Sequence, residues 1–466
     1  MPNIHDNPAL PRVFIVGGGF AGIAAAKALA KAPVRVTLVD RRNHHVFQPL
    51  LYQVATAALS PADISSPIRS VVSKIPNCRV VLAKIRGVDL AQKRLTFEGG
   101  AVEYDYLILA AGATHSYFGH PEFEKVAPGL KTLEDATEMR KRILLAFESA
   151  EYEGSEERRK AALTFAIVGG GPTGVELAGA IQEIAAKTIQ KDFRNIDTTT
   201  TRVILVQGGD RLLPQFPPKL SERSKRDLED MGVEVMLDAI VTNVTPDGVE
   251  IKGRGFLPVR TVFWAAGVQG SPVGATLGVP LTRSGQVVVN PDLSVPGHPE
   301  VFVAGDLAAA KSADTNEPVP GVAPAALQMG KYVGKLLAAE VTHKTTPDQR
   351  KPFAYWDKGT LATIGRFRAV GMVGKFKFGG VIAYLLWAGV HIMYLVNFRN
   401  RLAVAASWFW NWMVNARDAR LITGEAKLDI KTPRPGELIL AREGAEHHTN
   451  PEPVHAPPPT VVATPG

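Results

Sequence analysis

The pattern G-x-G-x-x-G occurs twice in this chain, each time directly after an apolar run and directly before helix-forming residues. The first copy is Gly17, Gly19 and Gly22, after Arg12-Val13-Phe14-Ile15-Val16 and before AAAKALAKA. The second is Gly169, Gly171 and Gly174, within LTFAIVGGGPTGVELAG. The order strand, glycine loop, helix is what a dinucleotide pyrophosphate requires. One glycine allows the tight turn, the next lets backbone N–H groups approach the phosphates, and the third lets the helix pack on the strand. A second apolar run, Val34 to Val39, ends in Asp40, 23 residues after Gly17 and at the position of a ribose-hydroxyl acceptor. The matching run Arg202 to Val206 ends in Gln207, which can still bond a ribose but lacks the charge that repels a 2′-phosphate. Arg211 is then either a surface arginine or a partner for such a phosphate.

Two more strand-and-glycine turns echo one another. They are Tyr106 to Ala113, which contains Gly112, and Val262 to Val268, which contains Gly267. The second module thus repeats the first and is inserted within it. The first resumes at Val301-Phe302-Val303-Ala304-Gly305-Asp306, where a strand delivers Asp306 at its carboxyl end. That aspartate is either a helix cap or a cofactor contact, and two glycine loops favour the contact. The expected fold is α/β: two Rossmann-like domains, the first discontinuous over 12–120 and 280–345, the second over 121–279. Two such sites in one chain suggest two redox cofactors exchanging electrons. Residues from roughly 121 to 160 read as helical and charged, and Glu134 to Arg142 place acids before bases, as a solvated surface helix would.

Composition narrows the chemistry. The single cysteine, Cys78, excludes a redox-active cysteine pair and a multi-cysteine zinc site. The net charge of +8 comes without dense basic runs interleaved with aromatics, which sets nucleic acid aside. The N-terminal MPNIHDNPALPR has no apolar core, so the body is expected to stay in the cytoplasm. The stretch His45 to Val54 is uncharged and rich in polar-tipped and aromatic residues. It is either a loop with a short buried helix or a wall of the first nucleotide site. Gln328 stands alone among Ala, Leu and Met in a helix opening at Pro324, as a core amide or a ligand contact.

A strand-bearing region is expected over 346–374, with a hairpin of 360–365 against 368–373. Composition then changes. Phe378 to Phe398 holds no charged residue, and Trp387, Trp408, Trp410 and Trp412 are four of the chain's six tryptophans. Gly379 to Val396 could span a membrane, form a core helix, or lie in the interface. Basic flanks and indole side chains favour the interface, on an anionic lipid surface. Residues 433–466 are proline-dense and read as a disordered tail.

The chain resembles the type II NADH:quinone oxidoreductases over roughly residues 12–420. The likeness rests on GGGFAG at 17–22, FQPLLYQVAT at 47–56, GGGPTGVELAG at 169–179, AGD at 304–306, PGVAPAALQMG at 320–330 and the aromatic C-terminal region. It implies FAD at Gly17, Gly19, Gly22, Asp40, Gln48, Gly112 and Asp306. It implies NADH at Gly169, Gly171, Gly174, Gln207 and Gly267. Glu176 resembles the glutamate at the flavin–nicotinamide contact, tied to hydride transfer and quinone binding. The family's AQxxxQ quinone motif reads Ala323-Pro324-Ala325-Ala326-Leu327-Gln328 here, leaving Gln328 as its one glutamine. The implied reaction takes hydride from NADH to FAD, then two electrons to a membrane quinone, with no metal and no ion pumping. The implied location is peripheral, on the cytoplasmic face of the cell membrane, and a homodimer stays open. The alternatives are a ferredoxin-reductase-like FAD/NAD(P)H enzyme and a low-turnover flavin sensor of NADH.

Overall fold

The computed structural model describes residues 7–431, apart from 344, 415, 416, 418, 426, 427 and 429. The expected tail, 433–466, lies outside the described residues.

The strand that feeds the first glycine loop, Arg12–Val16, lies inside a six-stranded sheet. Arg35–Asp40 and Cys78–Leu82 follow on one side. Tyr106–Leu109, His298–Val303 and Ser294–Val295 follow on the other. All pairs are parallel except the edge strand Ser294–Val295. Val13, Ile15, Leu107, Ile108 and Val301 are fully buried, as expected of parallel strands covered on both faces. Strand order reverses at Arg12–Val16, so a crevice opens beyond its carboxyl end.

The second sheet repeats this order with Val233–Met236, Arg202–Val206, Thr164–Val168 and Thr261–Trp264, all parallel. In each module a three-stranded antiparallel sheet precedes the fourth parallel strand. Its strands are Ile85–Asp89, Arg94–Phe97 and Gly100–Glu103 in the first, and Val241–Thr245, Gly248–Ile251 and Gly255–Pro258 in the second. The chain leaves the first module and returns to it along an antiparallel ribbon, Ala113–His115 against Val268–Gly270. The second module is therefore an insertion in the first.

Helix Phe20–Ala28 packs on helix Ala323–His343 through small residues. A Cβ on Gly330 would lie 2.0 Å from the Ala21 carbonyl oxygen, so the two backbones touch there. Helix Leu133–Tyr152 corrects the expectation of a solvated surface helix. Most of its charges line one side, while Ala136, Met139, Ile143 and Phe147 are buried on the other, with Arg140 and Glu151 also buried, and join the core that includes Leu51 and Val54. Charge order reveals the dipole's preference but not what covers the opposite face.

The hairpin Thr360–Gly365 against Arg368–Val373 gains a third strand, Phe376–Gly379. Two helices follow, Val381–Tyr394 and Phe398–Val414. Among the described residues no helix is long and apolar enough to cross a membrane. The apolar stretch 379–396 is broken because Gly379 ends a strand and Gly380 turns at φ +74°. The 14 residues that remain helical rise about 21 Å, short of the ~30 Å hydrocarbon core. The helices bury Ala383, Trp387 and Val404 on one side. On the other they expose Ile382, Leu385, Met393 and Phe409, each by more than half.

Candidate active site

The two glycine loops have the same geometry. Gly17 and Gly169 sit at φ +111° and +112°. A Cβ on Gly22 or Gly174 would lie 1.8 Å from the carbonyl oxygen of the first glycine in its loop, so each helix is pressed onto its own turn. Gly19 and Gly171 differ: nothing lies within 4 Å of the position a Cβ would take. Both cap their helices without a side-chain bond, so the first-turn N–H groups look into open space. That space and those donors fit the pyrophosphate of a dinucleotide in both modules.

The acceptor positions also correspond. Asp40 Oδ2 accepts the Gly18 N–H at 2.6 Å, and Gln207 Oε1 accepts the Gly170 N–H at 2.8 Å. Gln207 Nε2 donates to the Arg211 carbonyl at 3.3 Å, while the Arg211 guanidinium reaches the Pro214 carbonyl. Gly112 turns at φ +67° over open space. Asp306 and Gln48 meet through Lys131, whose ammonium lies 3.8 Å from Asp306 and whose carbonyl receives the Gln48 amide at 3.5 Å. Gly267 is covered by the exposed ring of Phe118, against which a Cβ would lie at 2.7 Å.

A cavity of about 120 Å³ lies where four segments converge. Helix Leu51–Ala55 supplies Tyr52 and Gln53, and helix Pro172–Glu183 supplies Glu176 and Glu183. The hairpin supplies Thr363 to Arg366, and the C-terminal helices supply Tyr384, Trp408 and Trp412. Trp408 Nε1 donates to Gln53 Oε1 at 2.7 Å, and Gln53 Nε2 donates to the Tyr52 hydroxyl at 3.0 Å. Burial pushes the Glu176 carboxyl well above the usual carboxylate range, offset in part by the backbone of Thr363. Burial, and then the Glu176 charge, raises the Tyr52 phenol well above its ordinary value. Both shifts favour the protonated form of their group. At the polar end Glu183 accepts from Arg417 at 2.9 Å and from the Arg366 N–H at 2.6 Å. Beside the cavity His391 bonds the Trp387 carbonyl at 2.6 Å and meets the Phe47 ring edge-on, and burial lowers its pKa to about 4. A flat neutral ring bearing carbonyl oxygens suits this aromatic slot with protonated donors.

FQPLLYQVAT contains the short buried helix that its composition suggested, and Tyr52 and Gln53 of that helix line this cavity. Gln328, open as a core amide or a ligand contact, bonds the backbone of Trp356. Its amide accepts from the Trp356 N–H and donates to the Trp356 carbonyl, each at 3.0 Å, and clamps helix Ala323–His343 to the following segment. Glu183, Lys131 and Arg417 were not singled out from sequence. Each is an ordinary charged residue until the fold brings it to the site.

Residues 11–330 match the pyridine nucleotide-disulphide oxidoreductase family, and residues 357–418 match the NDH2 C-terminal domain. Two Mycobacterium tuberculosis proteins, the type II NADH:quinone oxidoreductases Ndh and NdhA, are each 44% identical to this chain. The first match covers 90% of this chain and 91% of that protein, the second 94% and 95%. The structure of NDH2 from Plasmodium falciparum in complex with NADH superimposes with a TM-score of 0.81 at 20% identity, over 89% of this chain and 100% of that one. With the glycine-loop helix and the C-terminal helices facing one cavity, and with these matches along nearly the whole chain, the protein belongs to the type II NADH:quinone oxidoreductases.

Proposed function

We propose that this chain performs its family's reaction, NADH oxidation through FAD and two-electron reduction of a membrane quinone, in the cavity between Glu176 and the C-terminal helices. The observation that carries this reading is the position of Glu176. It sits in the first turns of the second glycine-loop helix, and also in a cavity walled by Tyr384, Trp408 and Trp412. A ferredoxin-type reductase has no use for that second wall.

FAD, held by Gly17, Gly19, Gly22, Asp40, Gly112 and Asp306, supplies the chemistry that accepts hydride and hands on electrons. Gly169, Gly171 and Gly174 seat the NADH pyrophosphate, and Gln207 faces the ribose. Lys131 and Gln48 close the flavin side. The protonated Glu176 gives a proton to a quinone oxygen as electrons arrive. The Tyr52 hydroxyl donates a hydrogen bond to the ring, held in place by Gln53 and Trp408. Glu183 pairs with Arg417, and with Lys187 and Arg366 also in the lining the polar end of the cavity is cationic. Gln328 acts from a distance by fixing Trp356. The exposed apolar faces of the two last helices lie in an anionic lipid surface, on the cytoplasmic side, and bring the cavity to its lipid-dissolved substrate.

The test is a two-stage anaerobic experiment followed at the flavin absorbance. Glu176→Gln should keep its flavin and be bleached by NADH as fast as the parent. Reoxidation by a short-chain quinone should slow by about 100-fold, the scale of a lost general acid. Unaltered reoxidation would remove Glu176 from the reaction. A parent protein that no quinone reoxidises would remove the reading itself.

A further inference from the structure

Arg140 stands on the inward face of helix Leu133–Tyr152 and is only 5% exposed. Among the described residues it makes no hydrogen bond and no ion pair, and its Nε is sealed from solvent with no acceptor. The start of this helix, by contrast, is closed by the Thr132–Asp135 capping box. An unpaired buried guanidinium is among the most unfavourable groups a fold can hold. Desolvation weakens its charged form, yet arginine stays protonated. Folds keep such a group where something outside the chain supplies the counter-charge.

The guanidinium lines a cavity of about 570 Å³, separate from the active-site cavity but sharing Ala58 and Asn411 with it. One wall is the segment Leu59 to Pro61. The other is helix Phe398–Val414, through Ser407, Trp410 and Asn411. Asp63 also lines it, but its carboxylate accepts the Ser60 N–H at 2.8 Å and makes no ion pair with Arg140. The interior therefore offers a charged fork, the Ser407 hydroxyl and the Asn411 amide. The rim is apolar, with Trp410 and Leu421 each more than half exposed. A polar, positive interior behind an aromatic rim, on the same helix that exposes Leu402 and Phe409, matches a molecule with an anionic head and an oily body.

We propose that this cavity binds the phosphate of an anionic phospholipid, with Arg140 as its counter-charge and the acyl chains leaving past Trp410 along the last helix. The site is independent of the quinone assignment. It shares with the functional reading only the premise that these helices meet a membrane. A bound lipid would tie helix Leu133–Tyr152 to the helix that carries Trp408.

The test uses full-length holoenzyme stripped of lipid in detergent, with flavin absorbance as the check on folding. Melting is compared with phosphatidylglycerol mixed micelles, with inorganic phosphate at equal ionic strength, and with neither. The expected result is a rise of a few degrees with phosphatidylglycerol alone in the parent, absent in Arg140→Met. Without lipid, Arg140→Met should melt at or above the parent, because it removes an unpaired buried charge. A parent-only rise with inorganic phosphate would keep the anion site and assign it to the free ion. Three results would overturn the proposal: no rise in the parent with either addition, an equal rise in Arg140→Met, or a lower melting point of Arg140→Met without lipid, which would mean that arginine already has a protein partner.

Discussion

Trp408 on the last helix donates its indole N–H to the Gln53 carbonyl oxygen at 2.7 Å, across 355 residues of chain. Gln53 in turn donates to the Tyr52 hydroxyl at 3.0 Å. A residue of the C-terminal region thereby sets the rotamer of a buried amide on the wall that faces Glu176. Trp408→Phe keeps an aromatic ring against Trp387, now stacked at 5.2 Å, but removes the donor. A buried carbonyl left without its partner costs about 1–3 kcal/mol. The expected outcome is normal flavin content and normal bleaching by NADH, with quinone-dependent turnover lowered several-fold. Steady-state assays with a short-chain quinone check it.

If Glu176 is the proton donor proposed above, turnover should depend on pH. Its carboxyl is raised well above the ordinary 4.5 by burial, so the proton-donating form persists to higher pH than in a free carboxyl. The rate of flavin reoxidation by quinone should fall as pH rises through that elevated value, and Glu176→Gln should flatten this limb. Stability carries the same sign. The folded protein binds this proton more tightly than the unfolded chain, so the contribution is complete below the unfolded value and is lost as pH rises through the folded one. Melting temperature against pH for parent and variant measures the difference.

Gln207 fills its place at the Gly170 N–H without a charge. Gln207→Glu should preserve that hydrogen bond, lose the donation to the Arg211 carbonyl, and add repulsion toward a 2′-phosphate. The expected result is a drop of at least ~10-fold in kcat/KM for NADPH, about 1.4 kcal/mol, with a smaller change for NADH. Paired steady-state measurements with the two nucleotides decide it.

Membrane attachment calls for point charges, because deleting the last two helices would also remove Trp387 and Val404, both buried, and uncover the core they pack against. Leu385 and Phe409 are 61% and 59% exposed and bear on no core. Leu385→Glu combined with Phe409→Glu should leave melting and flavin content unchanged while moving the protein from the vesicle pellet to the supernatant. Sedimentation with phosphatidylglycerol vesicles reads this directly; equal pelleting of parent and variant would show that these faces are not the attachment.

The amino-acid sequence by itself determined the two modules. Gly17 to Gly22 and Gly169 to Gly174 each lie between a strand and a helix that are contiguous in the chain. Turn chemistry and periodicity act over a few residues, so both nucleotide loops, Asp40, Gln207 and the hairpin at 360–373 were legible. The break at Gly380 and the buried face of helix Leu133–Tyr152 were not. Whether an apolar or charged stretch is covered depends on what distant segment lies against it. Only the tertiary structure decided that Gln328 bonds Trp356, that Tyr52, Glu176, Trp408 and Arg417 share one cavity, and that Arg140 is enclosed without a partner among the described residues. Those relationships join residues tens to hundreds of positions apart, and they exist only once the sheets and helices have packed.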